Sequence, residues 1–164
     1  MPELQLLDAG HVSALLAFEL DNRDFFAATI PDRGDAYFAE FDERLAALLA
    51  EQAEGVCFFH VLVDDDGSIL GRFNLVDVAD GQAELGFRLA EKATGRGLAT
   101  AAVAELFGRA ARDYGLTSLR AGTTLTNTAS RAVLERNGFQ RDGVTEFRGR
   151  PALTFVRDLR EFTV

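Results

Sequence analysis

Polar and apolar positions follow two different periods along this chain, and the change between them near its middle is abrupt. Ala83, Leu85, Phe87 and Leu89 alternate with Glu84, Gly86 and Arg88, the period of two of a strand with distinct faces. The alternation breaks at Thr94-Gly95-Arg96-Gly97. From Leu98 the apolar residues Ala99, Ala102, Val103, Leu106, Phe107, Ala110 and Ala111 share one side of a helix. A strand therefore runs through a glycine turn directly into a helix.

The same two periods divide the rest of the chain. Residues 8–20 predict a helix with Asp8 as its N-cap and Val12, Leu15, Leu16 and Leu20 facing inward. His11 falls in its first turn, as a surface residue. The polar stretch 21–24 interrupts the pattern, and Pro31-Asp-Arg-Gly34 is a turn. Residues 35–53 predict one further helix, its apolar side made by Tyr37, Phe38, Phe41, Leu45, Leu48 and Leu49. Strands over 56–63 and 68–78 turn at Asp64-Asp-Asp-Gly67, and Asp80-Gly81 leads into the central strand from Gln82. The three aspartates lack the spaced oxygens and terminal Glu of a calcium loop. The long helix ends near Tyr114-Gly115, and a strand follows over 119–125. Asn127 or Thr126 caps a short helix ending at Asn137-Gly138. A closing hairpin, 139–147 with 152–159, turns at Arg148-Gly-Arg-Pro151. Helices, then an antiparallel meander, then strand–helix units make a mixed α/β single domain over 1–164.

Composition narrows the function classes. With 48% hydrophobic residues and fourteen Phe, 164 residues can bury a core without metals or disulfides. The single Cys57, in the apolar run Val56-Cys-Phe-Phe-His60, reads as a buried inert thiol, and His60 as packed in the sheet. One cysteine permits no internal disulfide, which fits a reducing, cytoplasmic setting. Neither a secretory signal nor an apolar run long enough for a membrane span is expected. A net charge of −9 argues against nucleic acid as a partner and mildly favours cationic ones.

The glycine turn carries the first chemistry. It aims unpaired N–H groups and the positive end of a helix dipole at whatever lies in front of it, which suits an anion such as a phosphate. Gly95 and Gly97 permit close approach, and Arg96 adds charge. A Gly-x-Gly also serves as a plain tight turn, so both readings stand at this point. A P-loop is excluded because Leu98-Ala99 follows Gly97, and a dinucleotide fingerprint because Thr100 takes its last glycine's place.

Thr94-Gly95-Arg96-Gly97-Leu98-Ala99 resembles the coenzyme A loop, Gln/Arg-x-x-Gly-x-Gly/Ala, of the GNAT superfamily of N-acetyltransferases, with Thr94 where Gln or Arg is usual. Asn127-Thr-Ala-Ser130, leading to Gly138-Phe139, is similar to a second segment of that superfamily, at the expected distance. Together with the Glu-Leu-Gly-Phe opening at Glu84, it looks most like the ribosomal-protein N-terminal acetyltransferase branch. The resemblance spans roughly residues 55–160. It implies a mostly antiparallel sheet of about six to seven strands flanked by about four helices, with a splayed central strand pair.

Acetyl transfer to an amine needs donors for the acyl oxygen, a base for the amine and a proton for the departing thiolate. The resemblance assigns these to residues. The backbone of Phe87, Arg88 and Leu89 holds pantetheine, with the Leu89 N–H near the thioester carbonyl. The amides from Gly95 through Thr100 take the pyrophosphate, and Asn127 contacts the cofactor amides. Glu84 is the candidate base, directly or through water, since a carboxylate in a partly closed cleft can accept a proton near neutrality. Many members supply a Tyr seven residues after the Asn, a place held here by Leu134. Ser130 is the implied proton donor instead. Asn74 and Arg88 are candidates for orienting the acceptor.

The expectation is an acetyl-CoA-dependent N-acetyltransferase without a metal, monomeric or homodimeric, acting on the α-amino group of a protein or peptide. The alternatives are a small-molecule amine acceptor, a non-catalytic acyl-CoA sensor, and an interaction module that only keeps the fold.

Overall fold

The computed structural model describes residues 1–163. In chain order these form β1 (Glu3–Leu6), α1 (Val12–Asp21), α2 (Arg23–Ala27), α3 (Asp35–Ala39), α4 (Phe41–Ala53), β2 (Phe58–Val63), β3 (Ile69–Ala79) and β4 (Gln82–Leu89). Then come α5 (Leu98–Arg112), β5 (Ser118–Thr124), α6 (Thr128–Arg136), β6 (Gln140–Phe147) and β7 (Arg150–Asp158). The strands make one sheet ordered β1-β2-β3-β4-β5-β7-β6. Every pairing is antiparallel except β4 with β5. A parallel pair needs a crossover, and α5 supplies it.

The two periods read from the sequence decide which faces are covered. Ala99, Ala102, Val103, Leu106, Phe107, Ala110 and Ala111 are all buried, so the predicted face of α5 is its packed face. Leu85 and Phe73 lie on the β4 and β3 face that joins this core, while Arg72 and Asn74 lie on the opposite face, toward α1. Among the described residues no helix is long and apolar enough to cross a membrane.

The structure departs from the expected elements in its first third. Among the described residues there are six α-helices rather than about four. Residues 35–53 break at Glu40 (φ −105°, ψ 19°), because the two halves bury different things. Tyr37 and Phe38 pack under arginines, at 4.8 Å from Arg33 and 4.3 Å from Arg23, while Phe41 and Leu45 enter the core. The polar stretch expected to be irregular begins α2 at Arg23, whose guanidinium binds Asp32 and Asp35. Asp8 caps the short 3-10 turn Ala9–His11 ahead of α1. In α1 the inward face is Leu15, Phe18 and Glu19; Leu20, expected inside, is exposed. β1 was not expected: its Leu4-Gln5-Leu6 alternation is too short to register, yet it pairs with the edge of β2. The closing hairpin turns on two residues, Arg148 (φ 50°) and Gly149 (φ 81°), so that Arg150 and Pro151 already belong to β7.

His60 is buried in the sheet as expected, its ring nitrogens on the Phe73 carbonyl (3.1 Å) and the Tyr114 hydroxyl (2.6 Å). Burial pushes its pKa down to about 4. A depressed histidine is neutral when folded, so the unfolded chain binds more protons between pH 6.5 and pH 4. Stability is therefore expected to fall by about 3 kcal/mol as pH drops through that window, and His60→Gln should flatten the slope in acid denaturation curves. A slope unchanged in the variant would assign it elsewhere.

Candidate functional site

β4 and β5 hold register only from Gln82 with Ser118 to Leu85 with Ala121. Beyond that point β4 stays paired with β3, and β5 with β7, and the two strands part. Backbone groups on the opened edge of β4 are left without a ladder partner, as a bound group extended like a strand would require. A cleft of about 640 Å³ enters the gap. Leu85, Gly86 and Phe87 form one wall, Ala121 to Thr124 the other. Asn127, Ser130 and Leu134 of α6 close one end; Thr29 to Pro31 and the hairpin residues Glu146, Phe147, Arg148 and Arg150 line the rest. Gly122 lets the Phe147 ring close over β5, since a Cβ there would meet the ring at 2.6 Å and push it aside.

The glycine turn has the geometry an anion needs. Gly95 (φ 73°) and Gly97 (φ 72°) are both left-handed, and a Cβ on either would meet open space. Gly97 is the N-cap of α5 with no side chain closing it. Among the described residues no protein group accepts from the amides of Gly95 through Thr100. Six donors at the positive end of a 15-residue helix thus face outward. Arg96 is exposed beside them, whereas the Thr94 hydroxyl donates to the Glu91 carbonyl, 2.7 Å away.

Asn127 caps α6, its Oδ1 accepting from the Ser130 N–H at 3.2 Å. Among the described residues, this leaves its Nδ2 and the Ser130 hydroxyl without protein partners at the wall of the cleft. Leu134, in the place where many relatives of the motif carry Tyr, is buried against them.

On the other side of β4 the candidates form a row. Register sets Glu84 opposite Val76, Gly86 opposite Asn74 and Arg88 opposite Arg72. Glu84 is half-buried two residues before the strands part and does not itself line the cleft. The Asn74 Oδ1 is buried with no hydrogen-bond partner among the described residues. An orphaned buried acceptor is costly unless something donates to it. Gly86, directly across, leaves room for that donor because a Cβ there would touch nothing within 4 Å. The Arg88 guanidinium is held by Glu19 Oε1 at 3.0 Å and lies over the Phe26 ring. Only its backbone remains for a pantetheine-like group.

Glu19 was absent from the sequence expectations. It is 1% exposed and pairs with Arg72 (2.8 Å), Arg88 (3.0 Å) and Arg33 (3.4 Å). Burial raises its pKa, but the three arginines outweigh that and hold it below the usual carboxylate value. The sequence signal was a lone acid flanked by Phe18 and Leu20 in an apolar helix. The 29–31 loop and the Glu146–Arg150 hairpin were also missed as cleft walls, since only the tertiary fold brings them to β4. Cys57 is 3% exposed, and burial, then the charge of Glu51, pushes its thiol pKa up, as suits an inert residue. A hollow of about 770 Å³ by Ser118 and Arg157 touches the motifs only at Gly138 and contains none of the candidate catalytic or cofactor-binding residues.

The acetyltransferase (GNAT) domain family model matches residues 4–140. The uncharacterized N-acetyltransferase p20 of Bacillus licheniformis is 33% identical over 93 residues, 52% of this chain and 49% of that protein. The probable N-acetyltransferase YjcK of Bacillus subtilis (strain 168) is 26% identical over 141 residues, 79% of this chain and 75% of that protein. The chain thus spans about half the length of the first relative and three quarters of the second. Two solved structures share the fold. The ribosomal-protein-S5-alanine acetyltransferase of Vibrio fischeri superposes with a TM-score of 0.91 at 18% identity, over 98% of this chain and 94% of that one. The spermidine N-acetyltransferase of Vibrio cholerae, in complex with CoA and spermine, gives 0.81 at 17% identity, over 99% and 98%. With the open glycine turn, the parted strands and this match over most of its length, the chain belongs to the GNAT acetyltransferase family.

Proposed function

We propose that this chain is an acetyl-CoA-dependent N-acetyltransferase in which a primary amine, the α-amino group of a protein or peptide, attacks the thioester directly in a ternary complex. The observation that carries it is the position of the cleft. It opens at the parting of β4 and β5, its wall residue Gly86 is paired with Asn74, whose Oδ1 is unpartnered among the described residues, and β4 leads on to the glycine turn before α5. Bound acetyl-CoA supplies an activated acyl group, and the chain's own residues do the rest. The amides of Gly95 to Thr100, with Arg96, hold the pyrophosphate. The exposed backbone edge of Phe87 to Leu89 pairs with pantetheine, and the Leu89 N–H stabilises charge on the carbonyl oxygen.

Asn74 accepts a hydrogen bond from the incoming amine, and Glu84 takes its proton through a water, which its distance from the cleft requires. Ser130, whose hydroxyl has no partner among the described residues, protonates the leaving thiolate. A small amine is the second candidate acceptor, since the fold is shared with a spermidine enzyme.

Initial rates measured against both substrates test direct attack. Intersecting double-reciprocal lines are expected, with turnover kept in Cys57→Ala; parallel lines, the signature of an acetylated enzyme, would contradict it. Ser130→Ala is expected to lower kcat by about a hundredfold. An unchanged kcat would take the proton-donor role from Ser130.

A further inference from the structure

The cluster around Glu19 has more positive charge than the protein uses. One buried carboxylate faces three guanidiniums, an excess of two charges in a largely desolvated place. Arg72 is buried against Glu19, its Nη1 donating to that carboxylate and to the Tyr37 hydroxyl with the side chain 5% exposed. Arg33 is not. Its side chain is 33% exposed, touches Glu19 only as an ion pair at 3.4 Å, and donates no hydrogen bond among the described residues. Arg88 donates one. Arg23, nearby, is paired with both Asp32 and Asp35, so that with these included four arginines face three carboxylates and one positive charge remains in excess. A guanidinium presents five donors, and planar anions such as carboxylates match its fork.

The cluster is next to the reaction site. Pro31 lines both the cleft and a small recess whose charged walls are Arg23, Arg33 and Arg88 against Glu19 and Asp32. Arg88 follows Gly86 by two residues on the same face as Asn74, about 7 Å along the strand. The cleft itself adds Arg148 and Arg150 against a single acid, Glu146. A polycation would therefore meet an unfavourable field at this end of the site, although the chain as a whole carries −9.

We infer that the acceptor is an amine bearing a carboxylate a few ångströms from its nitrogen, and that Arg33, assisted by Arg88, receives that carboxylate while the amine sits at Asn74 and Gly86. Resting on the acetyl-transfer function proposed above, this gives Arg33 the selection of the acceptor. The carboxylate can belong to an acidic side chain near a peptide N-terminus or to a free amino acid.

Thiol release from acetyl-CoA should be followed with four acceptors: a short peptide with Glu at its second position, the same peptide with Gln there, free glutamate, and spermidine. The Glu peptide or glutamate is expected to exceed the Gln peptide by about tenfold in kcat/KM, the worth of one charge-assisted hydrogen bond. Whichever of the two leads identifies the source of the carboxylate. Spermidine should be the poorest. Arg33→Gln should abolish the ratio of the acidic to the amide peptide, Arg33→Lys should keep part of it, and Arg33→Glu should shift preference to spermidine. Equal kcat/KM for Glu and Gln peptides, or a wild-type preference for spermidine, with acetyl-CoA still bound and consumed, would overturn this inference alone. Failure of the wild-type protein to bind acetyl-CoA in calorimetry would instead remove the transfer function, and the inference with it.

Discussion

Gly97→Trp is expected to raise the dissociation constant for coenzyme A by a hundredfold or more. Gly97 stands in front of the first amides of α5 with open space where its Cβ would be, so an indole fills the place proposed for the pyrophosphate. Losing two charge-assisted hydrogen bonds there costs about 3–6 kcal/mol, or about two to four decades of affinity. The substitution also forces an L side chain to φ 72°, at about 1–2 kcal/mol of stability, which lowers the melting temperature by several degrees and leaves the protein folded. Gly97→Ala separates the two effects. It carries the same backbone cost but adds only a methyl group, so its melting temperature should drop alike while affinity falls far less. Normal coenzyme A binding by the tryptophan variant would mean the turn is only a turn.

Glu84→Gln is expected to lower kcat by a factor of about 10² to 10⁴, the usual worth of a positioned base, with coenzyme A affinity unchanged. The amide is nearly isosteric, and Glu84 makes no hydrogen bond among the described residues that the change would break. A kcat unaltered in the variant would clear Glu84 of the base role.

How far the sequence was legible follows from the range of the forces involved. The strand, glycine turn and α5 helix are local: period, φ requirements and dipole all lie within residues 82–112, and the structure has them with nearly the same bounds. The Asn127 cap was legible for the same reason, because its partner is the amide of Ser130 three residues on. The first third was harder. Glu19 turns inward because arginines from positions 33, 72 and 88 converge on it, which no helical period contains, and Leu20 is displaced to solvent as a result. Helix α3 breaks from α4 where Tyr37 must reach Arg72, again a distant partner. The cleft walls from the 29–31 loop and the Phe147 hairpin depend on the sheet order, in which β7 is inserted beside β5. Asn74 was legible as a polar residue in an apolar strand, but its unpartnered oxygen, which supports a role at the amine, needed the structure.

The cleft is expected to bind acetyl-CoA and to deliver its acyl group to an amine. Calorimetry of acetyl-CoA with the wild-type protein, followed by thiol release in the same cell on adding an N-terminal peptide, tests it most directly. Saturable binding and release that depends on the amine are predicted. Absence of binding, or binding with no release for any peptide or small amine, would contradict it.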